Sequence, residues 1–230
     1  MRFWLNHAVY PLFVFLFVVA LLRLTNLDIT ISSLFFDFEK RQWVFGESWW
    51  SVTFIHKWGR DFIVIVLLSS LTGLVLSLFI KHFRAYLFMF VYIVLTILFS
   101  TGIVAVLKHY SDLDCPWALN IFNGTQPYFH LFSGMSNPLS HGGCFPGGHS
   151  SGGFSLLLFY FLLRDYNKRY AYMALGVSIF IGSVFSLGQW VRGAHFVSHD
   201  LSSAMICWFV ALLLYKMMLQ SRMQLFRSKI

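Results

Sequence analysis

Charged residues are scarce in this sequence. They make up 11% of 230 residues, whereas a soluble domain has about 25%. Because so few charged side chains cannot cover a surface in water, the composition excludes a soluble globular domain. The 17 Lys and Arg residues outnumber the nine Asp and Glu residues, but they lie at the ends of apolar runs and not in one stripe. This placement indicates contact with a membrane and not with nucleic acid.

Cysteine is also rare. Three residues, Cys115, Cys144 and Cys207, are too few and too far apart for a disulfide-rich scaffold or a zinc ribbon. Long apolar runs are abundant instead, since 58% of the residues are hydrophobic.

The apolar runs predict an all-α fold, a six-transmembrane helix bundle that forms one domain over residues 1–230. The first run is long, lacks a clear cleavage site and is followed by further spans, so we expect it to be retained and not removed as a signal peptide. The predicted spans are roughly 4–22, 62–80, 85–107, 150–163, 171–188 and 201–219.

Lysine and arginine predict the orientation of the bundle. Ten of the 17 basic residues fall on one side of the predicted spans, which we therefore expect to be cytoplasmic, together with both termini. The segments 23–61, 108–149 and 189–200 then lie on the opposite face.

Segment 23–61 is rich in tryptophan and phenylalanine, which prefer the headgroup level of a bilayer. We predict that part of it forms an amphipathic helix in the interface. The rings form either an aromatic belt or a gate through which a lipid enters.

Ionisable residues gather on the non-cytoplasmic side, within 108–200. Polar groups at membrane depth are costly and indicate a functional site. Three helix ends contribute them: Lys108 after the third span, His149 before the fourth, and Arg192, His195, His199 and Asp200 between the fifth and sixth.

The Pro-Gly-Gly-His sequence that precedes the fourth span favours a phosphate site. Gly147 and Gly148 allow close approach of the backbone to a ligand, and the free N–H groups of the first helical turn attract an anion. With the cations Lys108 and Arg192 nearby, this segment predicts a phosphate cradle that needs no metal. By itself, such a turn could equally be an ordinary helix start.

His195 and His199 are four residues apart and share a face if that segment is helical. A neutral imidazole can attack phosphorus when a partner holds its other nitrogen, and either His199 or Asp200 could be that partner. The same spacing suits a metal pair, but Asp112, Asp114 and Asp200 are the carboxylates near these motifs, and a two-metal phosphatase needs more.

These motifs resemble those of the type 2 phosphatidic acid phosphatase family, membrane relatives of vanadium haloperoxidases, and especially a bacterial subgroup of uncertain substrate. The resemblance covers residues from about 60 to 219. The family's first motif is Lys, six residues, Arg-Pro; here Lys108 and Pro116 match, with Cys115 in place of the arginine. Its second motif is Pro-Ser-Gly-His, matched by Pro146, Gly148 and His149, with Gly147 in place of the serine.

The family's third motif is Ser-Arg, five residues, His, three residues, Asp. His195 matches the histidine, but Gly188 and Gln189 replace Ser-Arg, and His199 occupies the aspartate position with Asp200 beside it. Arg192 could supply the missing guanidinium one helical turn away.

The resemblance implies two-step phosphoryl transfer without metal or cofactor. His195 would attack phosphorus and form a phosphohistidine, His199 being the second choice as nucleophile, and His149 would act as acid and then as base. His199 or Asp200 would orient His195. The phosphate would be held by Lys108, Arg192 and the N–H groups near Gly147 and Gly148.

The membrane setting implies a lipid phosphate or diphosphate as substrate. Candidates are lipid A phosphates, undecaprenyl pyrophosphate and phosphatidylglycerophosphate. We expect the protein to lie in a bacterial cytoplasmic membrane with its site facing the periplasm.

Cys115 and Cys144 lie in one external segment, each beside a motif. Because that side is oxidising, we expect a disulfide between them, although two free thiols are an open alternative.

Other functions stay open at this point. A metal-dependent membrane hydrolase or oxidase would use His195 and His199, and an intramembrane serine protease would use Ser150 or Ser151. A transporter is disfavoured because the polar residues cluster at one end of the spans.

Overall fold

The computed structural model describes residues 2–128 and 142–219. Within these ranges the helices are α1 Arg2–Leu24, α2 Leu27–Ser33, α3 Trp50–Phe79, α4 Lys81–His109, α5 Gly148–Ser155, α6 Leu158–Arg164, α7 Lys168–Trp190 and α8 Val197–Leu219. Two short strands, β1 Phe36–Asp37 and β2 Gln42–Trp43, form an antiparallel hairpin. Single 3₁₀ turns cover Pro116–Ala118 and Asn120–Phe122.

The predicted all-α fold is confirmed, and the protein is a multi-pass membrane protein. Five helices of the described chain, α1, α3, α4, α7 and α8, are long and apolar enough to cross a bilayer. The fourth predicted span consists of two helices, α5 and α6, which are separated at Leu156 and Leu157. At Gly153 a Cβ atom would lie 2.9 Å from the Gly182 Cα atom. The glycines of α5 therefore allow its backbone to lie directly against α7.

The core lies between α4, α6 and α8. Tyr92, Leu158, Phe161 and Leu212 are fully buried there. The hydroxyl of Tyr92 donates towards the carbonyl oxygens of Leu158 and Ala211, at 3.3 and 3.1 Å. These contacts satisfy the one polar atom that Tyr92 carries into an apolar core. They hold α6 and α8 against α4.

Helix α1 is attached to the bundle at both of its ends. Near its start, the His7 ring lies 2.8 Å from the Tyr160 hydroxyl. Near its end, Arg23 and Asp28 form a buried ion pair at 3.3 Å, and Asp28 also accepts a hydrogen bond from the Ser198 N–H. A buried charge is stable when it is paired and hydrogen-bonded, so the ion pair anchors the start of α8.

The aromatic residues of segment 23–61 divide between two locations. Trp49, Phe54 and Trp58 are exposed and contact one another at the start of α3, as expected for rings at the headgroup level. Trp43 packs on Gly193, whose φ of +69° and lack of a side chain permit this contact. The hairpin therefore supports the loop before α8.

Candidate active site

Three separate segments meet at one end of the bundle. The Lys108 ammonium lies 3.8 Å from the point where a Cβ of Gly148 would be, so the end of α4 reaches the start of α5. The Gly147 N–H donates to the His199 carbonyl oxygen at 3.1 Å, which joins α5 to the start of α8. The structure thus brings the three predicted motifs together.

His195 and Asp200 form a buried pair. The His195 Nδ1 atom lies 2.8 Å from Asp200 Oδ1, and the side chains are 4% and 1% exposed. The same carboxylate accepts hydrogen bonds from the Ser150 hydroxyl and the Trp190 indole N–H, both at 2.7 Å. A carboxylate on Nδ1 favours the tautomer with the proton there and leaves a lone pair on Nε2.

Gly147 leaves room for this carboxylate. A Cβ atom at residue 147 would lie 1.9 Å from Asp200 Oδ1 and 2.9 Å from His195 Nδ1. Two of the departures from the family motifs, Gly147 and the shifted aspartate, therefore explain each other. The aspartate comes one residue later than in the family, and its side chain occupies the space that a serine at 147 would need.

Replacing Gly147 by serine will lower kcat/KM for phosphate release by about 100-fold, because a displacement of roughly 1 Å at a reacting group has an effect of this size. Gly176→Ser is the matched control, since nothing lies within 4 Å of a Cβ at residue 176. Both variants are assayed after size-exclusion chromatography in detergent. An active Gly147→Ser enzyme would show that Asp200 does not need this space.

His199 has a different environment from His195. Its ring is buried between Phe145 and Phe196, with edge-on contacts at 5.4 and 5.3 Å, and its centre lies 6.3 Å from that of His195. In residues 2–128 and 142–219, no group of three or more His, Cys, Asp or Glu side chains is arranged to hold a metal ion. Asp200, and not His199, is the hydrogen-bond partner of the His195 ring.

His149 and Arg192 carry polar atoms that no described residue satisfies. His149 Nε2 is buried without a hydrogen-bond partner in the described ranges, and so are Arg192 Nε and Nη1. Burial also lowers the pKa of the Arg192 guanidinium from its ordinary value. Since buried polar groups are normally satisfied, the two unpaired guanidinium nitrogens of Arg192 indicate a site for an anion.

Cys115 and Cys144 form a disulfide in the structure, with their Cα atoms 5.2 Å apart. The bond joins the segment after Lys108 to the segment before Gly147. Backbone hydrogen bonds from Gly143 and Cys144 to Ser111 and Leu113 run beside it. The cysteine that replaces the family arginine therefore has a structural partner across the site.

The two serines considered for a protease have other partners. The Ser150 hydroxyl donates to Asp200, and the Ser151 hydroxyl donates to the Gly148 carbonyl oxygen at 2.7 Å. Both residues are buried. The Ser150 hydroxyl thus bonds to the carboxylate that also pairs with His195, and the Ser151 hydroxyl bonds to a backbone carbonyl. In the described hydrogen bonds neither serine contacts the imidazole base that usually activates a nucleophilic hydroxyl.

Sequence reasoning missed His56. Its ring lies 4.5 Å from the His149 ring, and its Nδ1 atom is 3.1 Å from the Gln189 amide nitrogen. The contact depends on close packing of α3 against α7, where a Cβ at Gly188 would lie 2.6 Å from Ile55. The available signal was that glycine and glutamine replace the family's Ser-Arg, but this replacement does not point to a residue 133 positions before Gln189.

Comparison with known protein families identifies the family of this chain. The sequence profile of the PAP2 superfamily matches residues 85–223, which is more than half of the chain and includes all three motifs. The chain belongs to the PAP2 superfamily. Membership in the PAP2 superfamily indicates a phosphatase that acts on lipid-like phosphates. No match was found among curated proteins or among solved structures.

Proposed function

We propose that the protein removes phosphate from a membrane lipid phosphate or diphosphate, without a metal ion, through a phosphohistidine. The observation that carries this proposal is the His195–Asp200 pair together with Arg192, three residues before His195, whose guanidinium has two buried nitrogens that no described residue satisfies. A neutral imidazole oriented by a carboxylate is a nucleophile, and the unpaired Arg192 donors suit phosphoryl oxygens.

In the first step the Nε2 lone pair of His195 forms a bond to phosphorus, and the bond from phosphorus to the leaving oxygen breaks. His149 gives that oxygen a proton. In the second step His149 takes a proton from water, the hydroxide attacks phosphorus, and the N–P bond breaks to release phosphate. Lys108, Arg192 and the N–H groups of the first turn of α5, from Gly148 onward, stabilise the negative charge on the phosphoryl oxygens. The Gly147 N–H does not take part, because it donates to the His199 carbonyl oxygen.

A cavity of about 360 Å³ favours a lipid as the leaving group. Its polar end contains His149, and its walls come from α3, α4, α5 and α7. Such a volume suits a small-molecule site. The apolar lining continues along the helices into the membrane region, as a hydrocarbon chain requires. The lining residues include Ile63, Val64, Leu67, Ile97 and Phe185.

The proposed setting is a bacterial cytoplasmic membrane, with the site on the periplasmic face and both termini in the cytoplasm. The distribution of Lys and Arg supports this orientation. Lipid A phosphates, undecaprenyl pyrophosphate and phosphatidylglycerophosphate are the candidate substrates.

The test is phosphate release by the detergent-purified protein from these lipids and from glycerol 3-phosphate, with and without a chelator. We expect chelator to leave phosphate release unchanged. We also expect kcat/KM to be at least about tenfold higher for the lipids than for glycerol 3-phosphate, because burial of one to two methylene groups has an effect of this size. Loss of activity with chelator would favour the metal-dependent hydrolase. Equal rates for glycerol 3-phosphate would contradict a lipid substrate.

A further inference from the structure

The cavity beside His149 has a second polar group that the family motifs do not include. His56 and Arg60 of α3 line it together with Gly148 and His149. They lie one helical turn apart, and the Gln189 amide holds the His56 ring. The cavity therefore has an imidazole and a guanidinium between its apolar part and the acid His149.

The position of His149 indicates which part of the substrate contacts His56 and Arg60. A general acid contacts the leaving oxygen, and the apolar cavity next to it accommodates the lipid chain. Whatever links the lipid chain to the leaving oxygen must then pass His56 and Arg60. Because a cation is present at this point, a linking group with negative charge is favoured.

The charges in the site agree with this interpretation. Lys108 and Arg192 balance the two negative charges of one phosphate group, and Arg60 provides a further positive charge. Arg60 contacts Asp61 at 3.1 Å, but the two side chains are 65% and 55% exposed. An exposed pair of this kind is weak, so the guanidinium is free to turn towards an anion.

Resting on the function proposed above, we infer that His56 and Arg60 form a subsite for the second phosphate of a lipid diphosphate. The scissile phosphate then lies at His195, and the phosphate attached to the lipid lies at His56 and Arg60. The bond between phosphorus and the bridging oxygen breaks, His149 protonates that oxygen, and the leaving group is the lipid monophosphate. The ring centres of His149 and His56 lie 4.5 Å apart. This spacing suits contacts with two phosphates that share one bridging oxygen.

The test compares farnesyl diphosphate with farnesyl monophosphate, which carry the same chain. Wild-type protein is expected to have a kcat/KM at least about tenfold higher for the diphosphate, the value of one charge-assisted hydrogen bond. Arg60→Gln will reduce this ratio by about tenfold, and Arg60→Lys will keep most of it, because the lysine retains the charge. Lys57→Gln, which removes an exposed cation on the same helix, is the control and leaves the ratio unchanged.

Each outcome has one meaning. A ratio that is unchanged in Arg60→Gln, or a wild type that prefers the monophosphate or phosphatidylglycerophosphate, overturns the subsite. Absence of phosphate release from any of these lipids by the wild type contradicts the proposed function itself and is seen without the variants. Since Arg60 is mostly exposed, its replacement does not endanger folding.

Discussion

Replacing His195 by alanine will abolish phosphate release, whereas replacing His149 by alanine will leave the protein phosphorylated. The first variant lacks the nucleophile. The second lacks both the acid of the first step and the base that activates water for hydrolysis of the phosphohistidine. With p-nitrophenyl phosphate as substrate, whose leaving oxygen needs no proton, the first step still proceeds and the phosphohistidine accumulates. We expect each to lower kcat by about 10⁴-fold or more, as for other nucleophile–base pairs. Intact mass after mixing with substrate will show one added phosphoryl group in His149→Ala and none in His195→Ala.

Two results would change this assignment. A phosphorylated His195→Ala protein would make His199 the nucleophile, and the modified residue is then identified by peptide mapping. A His149→Ala protein that turns over normally would remove His149 from proton transfer. His109→Ala is the control, because His109 is exposed at the end of α4 and should not alter either measurement.

Replacing Asp200 by asparagine will lower kcat by about 10³ to 10⁴-fold, the loss seen when an amide replaces the carboxylate of a comparable carboxylate–imidazole pair. The amide cannot hold the proton on Nδ1 of His195. The proton then lies on Nε2, which no longer has a free lone pair to attack phosphorus. Asp37→Asn, in the hairpin, is the control. An Asp200→Asn enzyme within about tenfold of wild type would mean that His195 does not depend on this carboxylate.

The two residues that donate hydrogen bonds to Asp200 allow a further test of its role. Ser150→Ala and Trp190→Phe each remove one hydrogen bond to the carboxylate. Each should lower kcat by roughly tenfold, since a hydrogen bond to a charged group is worth about 1.5–3 kcal/mol. The pH dependence of kcat should shift in both variants, which a loss of folding alone would not produce. Identical pH profiles would assign these residues to packing.

Much of the fold follows from local sequence features. A long apolar run must form a helix when it crosses a bilayer, because no water is present to satisfy its backbone. For this reason the five long helices were predictable. The fourth span was not predictable as two helices, since the break between α5 and α6 accompanies close packing of Gly153 against Gly182 in α7. Which glycine meets which neighbour depends on how the helices pack.

In the candidate site, too, some features follow from local sequence and others depend on how the helices pack. The sequence indicated the candidate residues, because polar groups at membrane depth are costly and therefore stand out: Lys108, His149, Arg192, His195, His199 and Asp200. It left the partner of His195 open between His199 and Asp200. Only the tertiary structure decided that Asp200, and not His199, is hydrogen-bonded to His195 and that Gly147 leaves room for it, because Gly147 precedes α5 whereas His195 and Asp200 lie before and within α8.

His56 is the clearest example of a candidate site residue that the sequence alone does not reveal. A histidine in an aromatic segment has no local signal of function, since its neighbours along the chain are interfacial rings. Its place beside His149 arises from the packing of α3 against α7 and from the amide of Gln189. The sequence determined a membrane phosphatase with three converging motifs. The tertiary structure decided the pairing of the residues within the site, because contacts between distant segments depend on helix packing and not on local sequence.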